Sequence, residues 1–511
     1  MTSGLMNNSN PKILINNQMK KLFRFLPFAL LMLCGCGENY LNLNPEVSQG
    51  AGNFYKTKTQ FVQAVSGAYA PLQALCTGSF WVLAEMRSDN TSYQYNLVDR
   101  SGFPLEEIDE FREISSNVHI TNFFNASYLG ISRANVILDR IGELSAEAAS
   151  KEQIIGEASF LRAFYYFNLV RFFGDVPLIL KEVKSAEESF LLAARKSAAE
   201  TYAQVLEDAK TAARKLPESY AAAADKGRVT QGTAKTLLAK IYMTQHNFAA
   251  AATELRSVVQ SNKYRLLNNY ADNFSVSKKN GAESVFEIQF MEGTNGESSN
   301  FIYTFAPYNS GKSVAALGVA GGSSAGWNIP TQDMLDAYEP GDARKNASVG
   351  FDFADPDGRT VPYIKKYQSP HNVRFQTANN FPVYRYSDVL LMLAECLNEA
   401  GFVADGEAFS LLNQVRKRAG LPHKTSSDSE ASLRVSSQED FRKAIAKERQ
   451  VELAFENHRW FDLLRTNKMN EVMAPHAARE KETKKNHVIS ASYQDLKTVY
   501  QYPQREQMLL K

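Results

Sequence analysis

The chain has 511 residues, of which 44% are hydrophobic and 22% charged, a composition typical of a globular protein with one extensive core or two domains. Its formal charge of +2 gives no reason to propose nucleic acid as a partner, because phosphate binding needs a clustered basic surface. The 23 Tyr and 31 Phe exceed what a helical core requires, which suggests that some rings are exposed for a ligand.

The N-terminal segment has the pattern of a cleaved export signal. A basic start at Met19-Lys20-Lys21 precedes an apolar run over 25–33, which is far shorter than the roughly 20 residues that cross a bilayer. The following Leu33-Cys34-Gly35-Cys36 resembles the lipobox of bacterial lipoproteins, whose last cysteine takes the lipid. We therefore predict lipidation at Cys36, with Cys34 as the second choice. A buried or disulfide-bonded cysteine is the alternative.

Residues 1–18 are polar and Asn-rich and fit no signal, so both Met1 and Met19 remain candidates for the start of translation. We predict an upstream extension and signal peptide over 1–35, a lipidated cysteine with a polar tether over 36–56, and a single body over 57–511.

Helical periodicity dominates the first half of this body. The predicted helices cover 57–75, 123–141, 156–178, 198–216 and 230–245, and a further one starts at Asn247. The run over 156–178 is apolar on nearly every side, so it must lie between neighbouring helices, and Gly174 and Pro177 end it. Its few charged residues are expected to be paired or to cap helix ends; they are Glu157, Arg162, Arg171 and Asp175.

The second half changes character. Residues 262–380 are rich in Gly and Ser, with a short predicted strand over 285–290 and a flexible loop over 318–326. Helices resume over 385–400, 406–419 and 440–465. Two cysteines in a body of this length do not make a disulfide framework, so Cys76 and Cys396 are treated as core residues, although pairing is open.

Several segments in this order resemble the SusD/RagB family of Bacteroidetes surface lipoproteins. The resemblance covers nearly the whole mature chain and rests on the following runs: Phe61 to Tyr69, Ser88-Asp89-Asn90, Ser132-Arg133-Ala134-Asn135, Gly156-Glu157-Ala158, Phe160-Leu161-Arg162-Ala163, Gly174-Asp175-Val176-Pro177, Gly227-Arg228-Val229-Thr230, Tyr386-Ser387-Asp388, Asn413 to Gly420, and Lys447-Glu448-Arg449 through Leu463. The family's Pro-Ile-Pro-like ending is replaced here by Gln501-Tyr502-Pro503-Gln504.

The resemblance implies a mainly α fold, in which tetratricopeptide-like helical pairs pack against a loop-rich subdomain with a few short strands, the ligand-binding part lying at about 262–380. It also implies a protein without catalytic activity, anchored by lipid in the outer membrane and facing the cell exterior. Such a protein captures glycans for a SusC-like TonB-dependent transporter. No cofactor is expected.

Catalytic and metal chemistry find little support in the residues. Glu448, Glu452, Glu456 and Asp462 alternate with arginines, and we predict that they lie on one helix and form ion pairs along it, not a catalytic dyad. His458 lacks the companions of a zinc site. The turn at Asp352, Asp355 and Asp357 lacks the terminal Glu of a calcium loop and is predicted to be solvated.

Sugar binding needs an aromatic face for the apolar side of a pyranose and polar groups for its hydroxyls. Two loops offer both. The candidate residues are Arg87, Asn90, Tyr93, Tyr95 and Asn96 in the first loop, and Tyr303, Tyr308, Trp327 and Asn328 in the second. Trp81 and Trp460 are predicted to be core residues, whereas Trp327 is open between core and ligand contact.

Two other classes of function remain. A surface glycoside hydrolase would release product from a glycan that it binds. A helical-repeat scaffold that binds only protein would associate with the transporter and bind no glycan.

Overall fold

The computed structural model describes residues 54–96, 99–293, 296–311, 313, 314, 317, 319, 324–484 and 496–509. The signal peptide, the proposed lipidation site at Cys36 and the tether up to residue 53 lie outside the described residues. Residues 318 and 320–323 of the loop predicted over 318–326 also lie outside them. Residues Thr57–Lys511 form one compact unit, to which the following description applies.

The first half is helical, as its periodicity predicts. The helices are α1 (Lys58–Ala74), α2 (Phe80–Ala84), α3 (Phe103–Asp109), α4 (Val118–Arg140), α5 (Ala148–Phe173), α6 (Ala186–Leu192), α7 (Ala198–Lys215), α8 (Gln231–Thr244) and α9 (Phe248–Gln260). A π-helical turn, Leu75–Ser79, joins α1 to α2. Side chains of Thr57, Ser197 and Thr230 cap the first turns of α1, α7 and α8, which explains why these helices begin there.

The second half mixes short helices with loops before long helices return. The helices are α10 (Phe301–Phe305), α11 (Gln332–Ala337), α12 (Ala343–Ser348), α13 (Tyr386–Ala400), α14 (Glu407–Arg418), α15 (Gln438–Glu452), α16 (Arg459–Arg465), α17 (Met469–Thr483) and α18 (Gln504–Leu509).

The strands described are short and pair two by two, all antiparallel. The strands are β1 (Thr91–Ser92), β2 (Val176–Pro177), β3 (Arg195–Lys196), β4 (Ser284–Ile288), β5 (Ile329–Pro330), β6 (Val349–Gly350), β7 (Tyr363–Ile364) and β8 (Phe381–Arg385). The pairs are β1 with β5, β2 with β3, β4 with β8, and β6 with β7. β4 confirms the strand predicted over 285–290.

The long helices pack as consecutive pairs. α1 contacts α4, α4 contacts α5, α5 contacts α7, α7 contacts α8, α8 contacts α9, and α9 contacts α13, which in turn packs against α14 and α15. The most buried helix of this row is α5, which is covered on every side from Gly156 to Val170. The fold is therefore mainly α with tetratricopeptide-like pairs beside a loop-rich part, as predicted. Within the described residues, none of the helices combines the length and the apolar content needed to span a bilayer.

Three of the four charges on or beside α5 are paired or capping. Glu157 binds Arg228 at 2.9 Å and Arg162 binds Asp208 at 2.7 Å. Asp175 accepts the Ala198 backbone N–H at 2.8 Å, at the start of α7. Arg171 departs from the prediction, because among the described residues it pairs with no carboxylate and instead lies between two phenylalanine rings.

The prediction of one helix over 440–465 is wrong. α15 ends at Glu452 and α16 begins at Arg459, because Phe455 (φ +67°) and Asn457 (φ +63°) adopt the left-handed conformation, which no α-helix continues through. The segment between the two helices turns into the protein interior, where Glu456 is 2% exposed.

Core predictions for the sulfur and indole side chains are confirmed. Cys76 and Cys396 are buried free thiols. Trp81 and Trp460 are 3% and 1% exposed, respectively.

Candidate functional site

Pairing of β1 with β5 brings the two predicted loops together. Thr91 lies opposite Pro330, and its hydroxyl donates to the Asn328 side chain at 2.6 Å across 237 positions of sequence. Beyond the strands, the Gln94 backbone N–H donates to the Gly326 carbonyl at 2.8 Å. The Gln94 side chain accepts the Tyr308 backbone N–H at 2.7 Å. The two candidate loops therefore lie side by side in the folded protein.

Four aromatic residues that are not fully buried line this junction. Tyr95, Tyr308 and Trp327 are half-buried, and Phe103 is 36% exposed. We refer to Tyr95, Phe103, Tyr308 and Trp327 as the aromatic surface. Exposed aromatic residues clustered in loops are typical of recognition sites.

Two close approaches fix the geometry of this surface. The Trp327 indole lies against Gly102, where an added Cβ would be 2.8 Å from Nε1, so only glycine fits beneath the ring. Gly326 has φ +70°, and a Cβ there would be 3.1 Å from the Tyr308 Cβ. Glycine at both positions lets the backbone approach these two aromatic side chains closely.

Polar groups lie within the same surface. The Arg100 guanidinium stacks 4.7 Å from the Tyr95 ring and donates to Glu106 at 2.6 Å. Gln94 and Asn96 are half-buried and contribute amide groups. Arg100, Phe103 and Gln94 are site residues that the sequence prediction missed. The only feature of the sequence that indicates them is their position in or next to the first candidate loop.

Tyr303 belongs to a neighbouring patch. Its ring is 2% exposed and its hydroxyl donates to His371 Nε2 at 2.6 Å, because His371 Nδ1 is turned to the Ser369 carbonyl at 2.9 Å. Phe375 lies 4.5 Å from the Tyr303 ring and is itself 40% exposed. Tyr303 thus supports an exposed ring that the sequence did not single out.

Arg87 and Tyr93 stand behind the aromatic surface. Arg87 is 1% exposed and binds Glu113 at 2.7 Å, with its guanidinium 3.8 Å from the Phe111 ring. Tyr93 is 6% exposed and donates its hydroxyl to Glu110. Both side chains are bound to protein groups in the wall of the site, and their role in ligand contact stays a prediction.

Asn90 and Asn328 are also interior residues, each 1% exposed. The Asn90 amide donates to Glu85 at 2.8 Å and accepts from Gln450 at 3.0 Å. Asn328 adopts φ +55° and accepts the Thr91 hydroxyl. They hold β1, β5 and α15 in register, and a direct role in binding stays a prediction for them too.

The acidic residues considered for catalysis are engaged in a buried ion cluster. Glu448 binds Arg344 at 2.6 Å, Glu452 binds Arg385 at 2.7 Å, and Glu456 binds Arg385 at 2.8 Å. The prediction of ion pairing is confirmed, but the pairs join separate elements and do not run along one helix. Burial alone would raise the pKa of Glu456, yet Arg385 and Lys366 hold that pKa below its ordinary value.

One carboxyl beside the site does have a raised pKa. Burial raises the pKa of Glu110 to about 7, although Arg112 and Tyr93 both bind the group. The Glu110 side chain is 0% exposed, so a substrate on the aromatic surface does not reach it. A general acid must contact the bond that it protonates.

The aspartate turn is tied to an arginine. Asp355 accepts the backbone N–H groups of Asp357 and Arg359 and binds the Arg359 guanidinium at 2.9 Å. Across the described residues, no group of three or more His, Cys, Asp or Glu side chains is arranged to hold a metal ion.

The fold and the loop site define a mainly α, tetratricopeptide-like binding protein. A family model described as "SusD family" matches residues 356–509, and one described as "Starch-binding associating with outer membrane" matches residues 39–243. SusD-like protein P2 of Formosa agariphila is 27% identical over 501 residues, covering 89% of this chain and 93% of that protein.

Solved structures of SusD proteins are similar to this chain as well. A SusD superfamily protein from Bacteroides vulgatus is 25% identical with a TM-score of 0.71, and covers 89% of this chain and 98% of its own. A laminarin-binding SusD-like protein is 25% identical with a TM-score of 0.69, over 83% of this chain and 94% of its own. The two family models, the relatives and the solved structures confirm the resemblance to the SusD/RagB family seen in the sequence.

Proposed function

We propose that the protein binds an oligosaccharide on the aromatic surface and delivers it to a SusC-like TonB-dependent transporter of the outer membrane. The observation that supports this proposal is the junction of two distant loops, in which Tyr95, Tyr308 and Trp327 are each half-buried. The SusD-like relative that binds laminarin and the matching family described as starch-binding support a glycan as the ligand.

The proposed binding mode follows from the chemistry of the surface. The C–H face of a pyranose packs on the Trp327 indole and the Tyr95 ring, where burial of apolar area stabilises the complex. The Gln94 amide and the Arg100 guanidinium bind its hydroxyl groups. Because Arg100 is held by Glu106 and stacked on Tyr95, it is already ordered before the sugar arrives, which lowers the entropic cost of binding.

Substitution of the aromatic surface tests the site. We expect Trp327→Ala and Tyr95→Ala each to raise the Kd for the cognate glycan by about tenfold or more, equivalent to about 1.4 kcal/mol. Isothermal titration measures the change, with laminarin oligosaccharides as the first probe and a glycan array for the wider search. Phe190→Ala removes a ring that is 62% exposed on α6, away from the site, and serves as the control. Unchanged affinity in both site variants contradicts the assignment.

Attachment to the membrane is proposed to depend on Cys36. A bacterial lipoprotein carries two or more acyl chains on this cysteine, which suffices for stable anchoring. We expect Cys36→Ala to move the protein from the membrane fraction to the soluble fraction and to abolish incorporation of labelled palmitate, whereas Cys34→Ala leaves both unchanged. A Cys36→Ala protein that is still lipidated overturns the assignment.

The proposed protein acts without catalysis. We expect no product when the purified protein is incubated with a glycan that it binds, because the acidic side chains near the site are enclosed or paired with arginine. Product formation would favour a glycoside hydrolase. Co-purification with the transporter together with a silent glycan array would favour a scaffold that binds only protein.

A further inference from the structure

A small polar cavity lies where the helical pairs meet the segment between α15 and α16. Its volume is about 40 Å³, and it is lined mainly by residues of α5, α8, β8, α15 and α16. By the same measure a water molecule needs roughly 10–15 Å³. The cavity therefore has room for about three waters, or for one halide ion with a water.

Arg171 reaches the cavity from α5. Its guanidinium is stacked 3.9 Å from the Phe167 ring and 3.5 Å from the Phe461 ring. Its edge donates to the Phe167 carbonyl at 3.2 Å and to Asn168 Oδ1 at 2.5 Å. Among the described residues no carboxylate lies within ion-pair distance of this arginine. Burial lowers its pKa only to about 10, so it remains charged at neutral pH.

Asn457 lines the same cavity and is 4% exposed. Both polar atoms of its side chain lack a hydrogen-bond partner within the described part of the protein. Its backbone is fixed, since φ is +63° and its N–H donates to Glu85 at 2.7 Å. A buried amide without a partner destabilises the folded state, so a ligand that binds it would recover stability.

Arg171 differs from the other cations that line the cavity, because it has no carboxylate partner among the described residues. Its cationic side chains are Arg171, Lys240, Arg449 and Arg465. Their described carboxylate partners are Asp388, Asp462 and Glu395. The remaining lining carboxylate, Glu456, is bound by Arg385 and Lys366. Arg171 is the cation left over.

His458 adds a donor to the cavity without adding charge. Its Nδ1 accepts from the Lys240 ammonium at 3.4 Å, so the ring proton resides on Nε2. Burial and the charge of Lys240 lower the pKa of His458 to about 3. A guanidinium without a carboxylate partner, together with donors from Asn457 and His458, suits an anion better than a cation.

We propose that this cavity binds a small monovalent anion of the size of chloride between the Arg171 guanidinium and the Asn457 amide. The anion neutralises a guanidinium that burial would otherwise leave uncompensated, and it accepts the hydrogen bond of the amide. Because the cavity joins α5 to the chain between α15 and α16, the bound anion ties the helical pairs to the C-terminal helices.

Bromide replaces chloride and scatters anomalously, so crystals of the protein soaked in sodium bromide test occupancy directly. We expect an anomalous peak inside the cavity. We also expect the unfolding midpoint to be about 1–3 °C higher in sodium chloride than in sodium gluconate at equal ionic strength. Bromide density only on the outer surface would indicate an adventitious ion only. Equal unfolding midpoints in the two salts would indicate that water and not an anion fills the cavity. Each result overturns the proposal.

A matched pair of variants locates the effect. Asn457→Gly removes the amide but keeps a residue suited to positive φ, and we expect it to lose the difference between the two salts. Asn467→Gly makes the same change at φ +55° on an exposed turn and should keep the wild-type difference. A full chloride response in Asn457→Gly contradicts the site. Arg171→Gln provides a second test, since it removes the charge and should abolish the response.

Discussion

Arg385 is the residue on which the buried ion cluster converges. It binds Glu283 and Glu452 at 2.7 Å and Glu456 at 2.8 Å, and it is 2% exposed. Burial would raise the pKa of Glu452, but the guanidiniums of Arg418, Arg385 and Arg344 hold it well below its ordinary value. Glu452 and Glu456 are therefore ionised in the folded protein, and their charge depends on the arginines beside them.

Removal of the Arg385 charge should be strongly destabilising. We expect Arg385→Gln to lower the free energy of unfolding by about 3–5 kcal/mol, because it leaves carboxylates buried without compensation. The change is measured as a shift of the urea unfolding midpoint. Arg256→Gln is the matched control, since Arg256 binds Glu407 at 2.6 Å with both side chains more than two-fifths exposed. An exposed pair contributes about 0–1 kcal/mol. Equal shifts of the unfolding midpoint in the two variants would show that the Arg385 charge contributes no more to stability than an exposed ion pair.

At the scale of the elements, the close contact between α4 and α5 requires a glycine at position 130. A Cβ added at Gly130 on α4 would lie 2.2 Å from the Tyr165 ring of α5, closer than real side chains approach. The Tyr165 hydroxyl donates to the Ala68 carbonyl of α1 at 2.8 Å, so the ring cannot retreat without releasing that bond. Three helices meet at this position.

Two glycine substitutions with the same chemistry should have opposite effects. We expect Gly130→Ala to destabilise the protein by about 1–3 kcal/mol through overpacking. Gly67→Ala should stabilise it by about 1 kcal/mol, because Gly67 lies within α1 with nothing within 4 Å of an added Cβ and alanine is the better helix former. Thermal unfolding of both variants tests this. If Gly67→Ala destabilised the protein as much as Gly130→Ala, the loss in Gly130→Ala could not be assigned to overpacking.

The helices could be predicted because the spacing of apolar residues and the capping residues indicate the same helix boundaries. α8 begins after Thr230, whose side chain accepts the Thr233 backbone N–H, and α5 ends at Gly174, as the sequence indicates. The break between α15 and α16 was missed because Phe455 adopts φ +67°, which is unusual for an aromatic residue. Buried contacts to Arg385 outweigh the local preference of this segment for a helix.

Only part of the candidate site followed from the sequence. The aromatic loops were found by composition, but their junction depends on β1 and β5, strands of two residues that carry no periodic signal. Arg87 and Asn90 are polar, which favours exposure, yet each is buried because its partner, Glu113 or Glu85, is also enclosed. Contacts of this kind are fixed by tertiary packing, which a local pattern does not encode.

At the scale of the whole molecule, the end of the described chain returns to the first helices. The Tyr500 hydroxyl donates to the Leu83 carbonyl at 2.7 Å, and its backbone N–H donates to the Phe172 carbonyl at 2.8 Å. Tyr502 lies 5.0 Å from the Phe124 ring. The Tyr500 ring is also 4.6 Å from the guanidinium of Arg87, in the wall of the proposed binding site.

Removal of this segment should therefore weaken the first half of the protein, although it is the far end of the chain. We expect a chain that ends at Val499 to lose about 3 kcal/mol or more of stability, because it loses two buried tyrosine rings and the hydrogen bonds to Leu83 and Phe172. A chain that ends at Gln507 keeps both rings and loses Met508, which is 63% exposed, so its unfolding midpoint should match the intact chain. If the two truncations have the same midpoint, Tyr500 and Tyr502 do not hold the helices together. If the chain that ends at Val499 has a lower unfolding midpoint and also binds glycan more weakly, the C-terminal segment supports the wall behind the aromatic surface through Arg87.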